Sequence, residues 1–66
     1  MKNNLKVERA IKDITQEELA KQIGVTRQAI NSIELGKYVP STILALKLSR
    51  YFNKAVNEIF FIEEGD

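Results

Sequence analysis

Arg27, Gln28, Asn31 and Ser32 are the side chains of this sequence best equipped to read another molecule. An Arg fork fits the O6 and N7 of guanine, a Gln or Asn amide fits the N6 and N7 of adenine, and a Ser hydroxyl serves either. A good bidentate pair discriminates between bases by about 1–3 kcal/mol. The spacing gathers the four residues. At about 100° per residue, with Arg27 as zero, they occupy an arc from roughly 0° to 140° of a helix. Ala29, Ile30 and Ile33 occupy roughly 200° to 300°. Every surface helix has a polar side, so an idle solvated face would show the same division. Asn31 and Ser32 argue against idleness. Both are mediocre helix formers, and a merely solvated face more often carries Glu and Lys.

Other chemistry is poorly supplied. The chain has no Cys and no His, which removes disulfides, thiol catalysis, cysteine-ligated zinc and the commonest general base. Nine acids alone do not make a catalytic site, so an enzyme is not expected, nor a cofactor, a metal or a small-molecule ligand. No run approaches the ~18 apolar residues of a membrane span, and no signal peptide opens the chain. The expected setting is cytoplasmic, away from membranes. Net charge is only +1 and does not itself indicate nucleic acid. Its distribution says more. Residues 1–54 carry all ten bases and five of the nine acids, a balance of +5; residues 55–66 carry Glu58, Glu63, Glu64 and Asp66 and no base, a balance of −4.

The elements that must hold the polar face follow from capping and periodicity. With 66 residues the chain is one domain, 1–66, of marginal stability. Val7, Ala10, Ile11 and Ile14 recur at helical spacing, which predicts an amphipathic helix over Leu5–Lys12 with that stripe inward. Thr15 followed by Glu18 forms a capping box for a second helix, Gln16–Ile23, ended by Gly24. Thr26 caps a third, closed by Gly36, and Ser41 caps a fourth that runs to Phe52. In the fourth, Ala45, Leu48 and Phe52 are the expected core stripe, with Ile43 and Leu46 pointing away. A short fifth helix over Val56–Phe60 is expected, for which Lys54-Ala55 offers no side-chain cap and Asn53 could cap instead. Two capped helices joined by a tight glycine turn, at about 16–35, form the helix-turn-helix pattern, whose second helix enters the DNA major groove.

The stretch "TQEELAKQIGVTRQAINSIELGK", followed by "YVPS" and "LALKLSRYFN", resembles the lambda-repressor-like, Cro/Xre-type helix-turn-helix family of transcriptional regulators. The resemblance covers about residues 5–60. It rests on Gln16, Leu19-Ala20, Gly24, Ile30, Ile33-Glu34, Gly36-Lys37 and Pro40 taken together. It implies an all-α, five-helix domain, to which some small relatives add a terminal antiparallel β-sheet; here Met1-Lys2-Asn3 would pair with Phe61-Ile62-Glu63. It also implies that double-stranded DNA is the partner. By position, Arg27, Gln28, Asn31 and Ser32 fall where the family reads bases. Gln16, Thr26, Lys37 and Tyr38 fall where it meets phosphates. Arg9 and Glu34 match a structural ion pair between helices one and three. Lys2, Lys6 and Lys12 are expected to be plain solvated charge.

The acidic end of the chain suggests a second surface. A chain this small should struggle to bury Ile59, Phe60, Phe61 and Ile62 as well as helix four, and exposed apolar patches mark interfaces. The expectation is a two-fold homodimer through residues 55–66, with these four residues at its interface. Such a dimer would be a repressor reading a near-palindromic operator. Two rivals stay open: an antitoxin whose apolar, acidic tail holds a toxin, and a protein-interaction module without DNA binding.

Overall fold

The computed structural model describes the whole chain, Met1 to Asp66. Its elements are β1 (Lys2–Asn3), α1 (Leu5–Lys12), α2 (Gln16–Ile23), α3 (Arg27–Glu34), α4 (Thr42–Phe52), α5 (Val56–Ile59) and β2 (Phe60–Phe61). None of the helices is long and apolar enough to cross a membrane. The fold is the expected five helices with a small antiparallel sheet joining the two ends of the chain.

Local signals in the sequence set most boundaries. The hydroxyls of Thr15, Thr26 and Ser41 accept the amides of Glu18, Ala29 and Leu44, capping α2, α3 and α4. Thr15 also donates its own amide to Glu18, which completes the capping box. The end of α3 is a Schellman turn: the Gly36 amide meets the Ile33 carbonyl, and the Lys37 amide meets that of Ser32. Gly36 has φ 75°, and a Cβ there would lie 3.4 Å from the Met1 carbonyl oxygen. The turn is what calls for glycine here, since a Cβ would make only an ordinary contact with the N-terminal segment. Asp13 and Asn53 end α1 and α4 in the same left-handed region, which short polar side chains tolerate.

The core gathers Leu5, Leu19, Ala20, Ile23, Ile30, Ile33, Leu44, Leu48, Phe52, Ile59 and Phe60. Of the stripe expected on α1, only Ile14, just past the helix, packs against it. Val7 and Ile11 are 53% and 68% exposed, whereas Leu5 and Glu8 face inward. Ion pairs turn the helix this way. Glu8 receives the Lys54 ammonium at 3.0 Å, and Arg9 forks onto Glu34. Lys12 is not plain solvated charge either, because its ammonium sits 4.7 Å from the centre of the Tyr51 ring. On α4, Leu44, Leu48 and Phe52 are buried and Ala45 is half-buried, while Ile43 and Leu46 point outward as expected.

The C-terminal segment differs from expectation in two ways. First, α5 stops at Ile59, and Phe60 opens β2. The sheet pairs Lys2 with Phe61 and Asn3 with Phe60, one residue earlier than expected. Side chains alternate across a strand, so this register sends Phe60 into the core and Phe61 outward; a slip of one would reverse them. Second, Ile59 and Phe60 are core residues, at 0% and 7% exposure. Most of each side chain is taken up by this chain's own packing, which leaves little of either for an interface. At the start of α5, the Ala55 amide donates to the Glu58 carboxylate, so Glu58 does the capping that Ala55 cannot.

Candidate nucleic-acid interface

α3 presents its two sides as the helical arithmetic requires. Ile30 and Ile33 are buried at 0% and 1%, Ala29 is half-buried, and Arg27, Gln28 and Asn31 are exposed with Ser32 half-exposed at the margin. Thr26, Gln28, Ala29, Ser32 and Tyr38 together line a shallow depression beside the helix. Four residues expected to meet DNA thus share one concavity. The loop is held there by its backbone, since the amides of Lys37 and Tyr38 both donate to the Ser32 carbonyl, at 3.0 and 3.3 Å. Tyr38 is 47% exposed, so packing beneath the loop does not consume its ring.

The other side of the face meets the start of α2. Gln16 is half-buried, and its amide nitrogen donates to Asn31 Oδ1 and to Glu34 Oε1, each at 3.1 Å. Both amide hydrogens are therefore used inside the chain. A phosphate at this position would compete for those side-chain hydrogens or take the Gln16 main-chain amide instead. The Gln16 main-chain amide, in the first helical turn, has no carbonyl four residues back and is the donor left at this position.

Arg9 and Glu34 form the ion pair anticipated between α1 and α3. Arg9 Nε lies 2.6 Å from Glu34 Oε2, and a second guanidinium nitrogen lies 3.1 Å from Oε1. The remaining guanidinium nitrogen donates to the Ile14 carbonyl at 3.0 Å. The hydrogen bond to Glu34 holds the Arg9 pKa above its usual value, against the opposing effect of burial. Arg27 and Lys37 belong to none of the chain's ion pairs, which join the N-terminus to Glu63 and Asp66, Arg9 to Glu34, and Lys54 to Glu8. Two cations at the face are thus uncommitted, and the one acid beneath it is neutralised.

Sequence reasoning missed Asn3. Its Nδ2 donates to the Ile33 carbonyl at 2.8 Å, while its Oδ1 accepts the Leu5 amide at 3.1 Å. One side chain thereby starts α1 and ties the N-terminal strand to the end of α3. The only signal was an Asn just before a helix.

A helix-turn-helix family model matches residues 5–59, five-sixths of the chain. The chain belongs to this helix-turn-helix family. It is similar over its whole length to an uncharacterized HTH-type transcriptional regulator of Methanocaldococcus jannaschii, with 48% identity over 66 residues and all of both chains covered. A second such regulator, YgzD of Bacillus subtilis, is 45% identical over 64 residues, or 97% of each chain. The ImmF control region 10 kDa protein of Bacillus phage phi105 is 35% identical, covering 92% of this chain and 73% of its own. The first two are transcriptional regulators by name, and the helix-turn-helix assigns this chain to a DNA-binding, non-enzymatic family.

Proposed function

We propose that this helix-turn-helix regulator is a homodimeric repressor that reads a near-palindromic operator through α3. The observation that carries the reading is the exposed polar face of Arg27, Gln28 and Asn31, with Ser32 at its edge, continuous with Thr26 and Tyr38 in one depression. In a dimer, two such helices enter successive major grooves about 34–36 Å apart. Arg27, Gln28, Asn31 and Ser32 contact bases. Lys37, the hydroxyls of Thr26 and Tyr38, and the main-chain amide of Gln16 hold the flanking phosphates. The likeness to a phage control region protein supports a regulatory role.

The dimer surface is narrower than the four tail residues expected from sequence. Phe61 and Ile62 remain, at 37% and 86% exposure. Beside them an apolar groove of about 390 Å³ runs between α4, α5 and the chain ends, lined by Pro40, Ala45, Leu46, Val56, Phe60 and Ile62 among others. A second copy that seats its own Leu46 and Ile62 here closes both grooves by one two-fold operation.

Incubation of the protein with sheared genomic DNA, followed by sequencing of the retained fragments, tests the function. A short two-fold-symmetric motif with half-sites about 10–10.5 base pairs apart is the expected product. Retention blind to sequence, or none at all, contradicts it. An antitoxin remains the second reading, favoured by the exposed Ile62 beside the acidic Glu63 and Glu64; co-purification of a toxin on the native tail would replace the dimer with that complex.

A further inference from the structure

The outer side of α4 is apolar towards its start and basic towards its end. Ile43, Leu46, Lys47 and Arg50 fall at i, i+3, i+4 and i+7, the spacing of one helical face, and all four are exposed. Together they line a shallow depression of about 360 Å³. Leu46 also lines the apolar groove that holds Ile62, while Lys47 and Arg50 also line a second depression against Tyr51. The surface is therefore continuous from Ile62 to Tyr51, apolar first and basic after. Neither Lys47 nor Arg50 belongs to an ion pair. Lys12 adds a third cation at the far end, over the Tyr51 ring. No acid lines either basic depression. Cations gathered in this way repel one another, and an acid supplied from outside relieves that repulsion.

The chain carries a segment of the matching order. Ile62 is almost fully exposed, and Glu63 and Glu64 follow it. A tight turn holds this tail: the Asp66 amide donates to the Glu63 carbonyl at 3.0 Å, and the Glu63 amide donates to the Asp66 carboxylate at 2.7 Å. Glu63 and Asp66 also meet the Met1 amino group, which leaves Glu64 exposed in the turn without a cation. We propose that Lys47 and Arg50 are a docking site for the acidic tail of a second copy, each protomer's Glu64 pairing with Lys47 and Arg50 of the other. This rests on the homodimer reading and deepens it. The reach is short. When the partner's Ile62 sits beside Leu46, the partner's Glu64 has its Cα at most about 7 Å further on. Lys47 adjoins Leu46 in the chain, and Arg50 lies about one helical turn away. The two-fold operation makes the exchange twice. The apolar groove supplies contact area, while the charges select the partner and fix its register.

The test is a charge exchange read by light scattering over a range of protein concentrations. One variant carries Lys47→Glu and Arg50→Glu, and the other carries Glu64→Lys. All three positions are exposed, and circular dichroism melts check that both variants fold. Each variant alone sets like charges against one another at both contacts, and its dimer is expected to weaken by about tenfold. An equimolar mixture sets opposite charges together at both contacts, so the mixed dimer is expected to regain the wild-type affinity. Either variant dimerising as tightly as the wild type, or a mixture as weak as its components, overturns the proposal. A chain carrying all three substitutions separates the sources of the acid. Rescue in that chain but not in the mixture assigns the tail to its own α4, which also overturns the proposal. A wild type that stays monomeric throughout contradicts the homodimer reading itself and leaves the surface to another acidic protein. The readout needs no DNA, so its failure is distinct from a failure of α3 to read bases.

Discussion

Arg9 is the residue on which most of the interface depends, although it lies behind the reading face. Its guanidinium forks onto Glu34, reaches the Ile14 carbonyl and, through Glu34, orients Gln16. Its side chain is 15% exposed and that of Glu34 is 6% exposed. Removing one partner of a pair this deep costs about 3–5 kcal/mol. A core of this size rarely supplies more than roughly 3–5 kcal/mol in total. Arg9→Leu is therefore expected to leave the chain largely unfolded at 25 °C, as read by circular dichroism. Because the Arg9 pKa is raised on folding, its contribution is fully present below the unfolded value and is lost only as pH rises through the folded one. The pair thus gives no reason for the fold to weaken between neutral and moderately alkaline pH. Lys54→Ala strands the buried Glu8 carboxylate and is expected to lower stability by about 1–3 kcal/mol in a urea titration. The identity of the α1–α3 pair was legible by resemblance. The Lys54–Glu8 pair was not, because 46 residues separate the partners and nothing local announces them.

At the scale of elements, caps and glycines were readable signals, and periodicity was readable on α3 but misled on α1. The starts of α2, α3 and α4 each follow a Thr or Ser whose hydroxyl takes an amide three residues on. That geometry is local, so the sequence contains it. The eight residues of α1 make barely two turns, and an apolar stripe on so short a helix competes with a charged one. The charged side won because Glu8 and Arg9 each have a partner waiting on another element. A pair of substitutions separates the two faces. Leu5→Ala, at a fully buried site, is expected to cost about 2–5 kcal/mol. Ile11→Gln, at a site 68% exposed, is expected to stay within about 0.5 kcal/mol. Thermal melts of both proteins check this, and similar losses would restore the stripe that the sequence suggests.

For the whole molecule, the division of charge seen in the sequence becomes a division of surfaces. The basic body carries α3, while much of the acidic tail folds back on the N-terminus, whose amino group lies 3.5 Å from Glu63 and 3.7 Å from Asp66. The two chain ends thus lie together beside the apolar groove. The candidate reading face was legible because it lies within one helix. The groove was only half legible, because burial of Ile59 and Phe60 depends on the register of a two-residue strand. Leu46→Glu, at a site 56% exposed, should leave the fold intact and give a monomer by light scattering at a concentration where the wild type is a dimer. The central claim is that α3 reads bases while the following loop holds phosphates. It is tested most directly by measuring Arg27→Ala and Lys37→Ala against a panel of single-base operator variants at several salt concentrations. Arg27→Ala is expected to lose preference at one position in each half-site, costing about 1–3 kcal/mol there. Lys37→Ala is expected to weaken every sequence alike and to reduce the salt slope by about one. Uniform weakening by Arg27→Ala, or altered base preference in Lys37→Ala, would contradict the account.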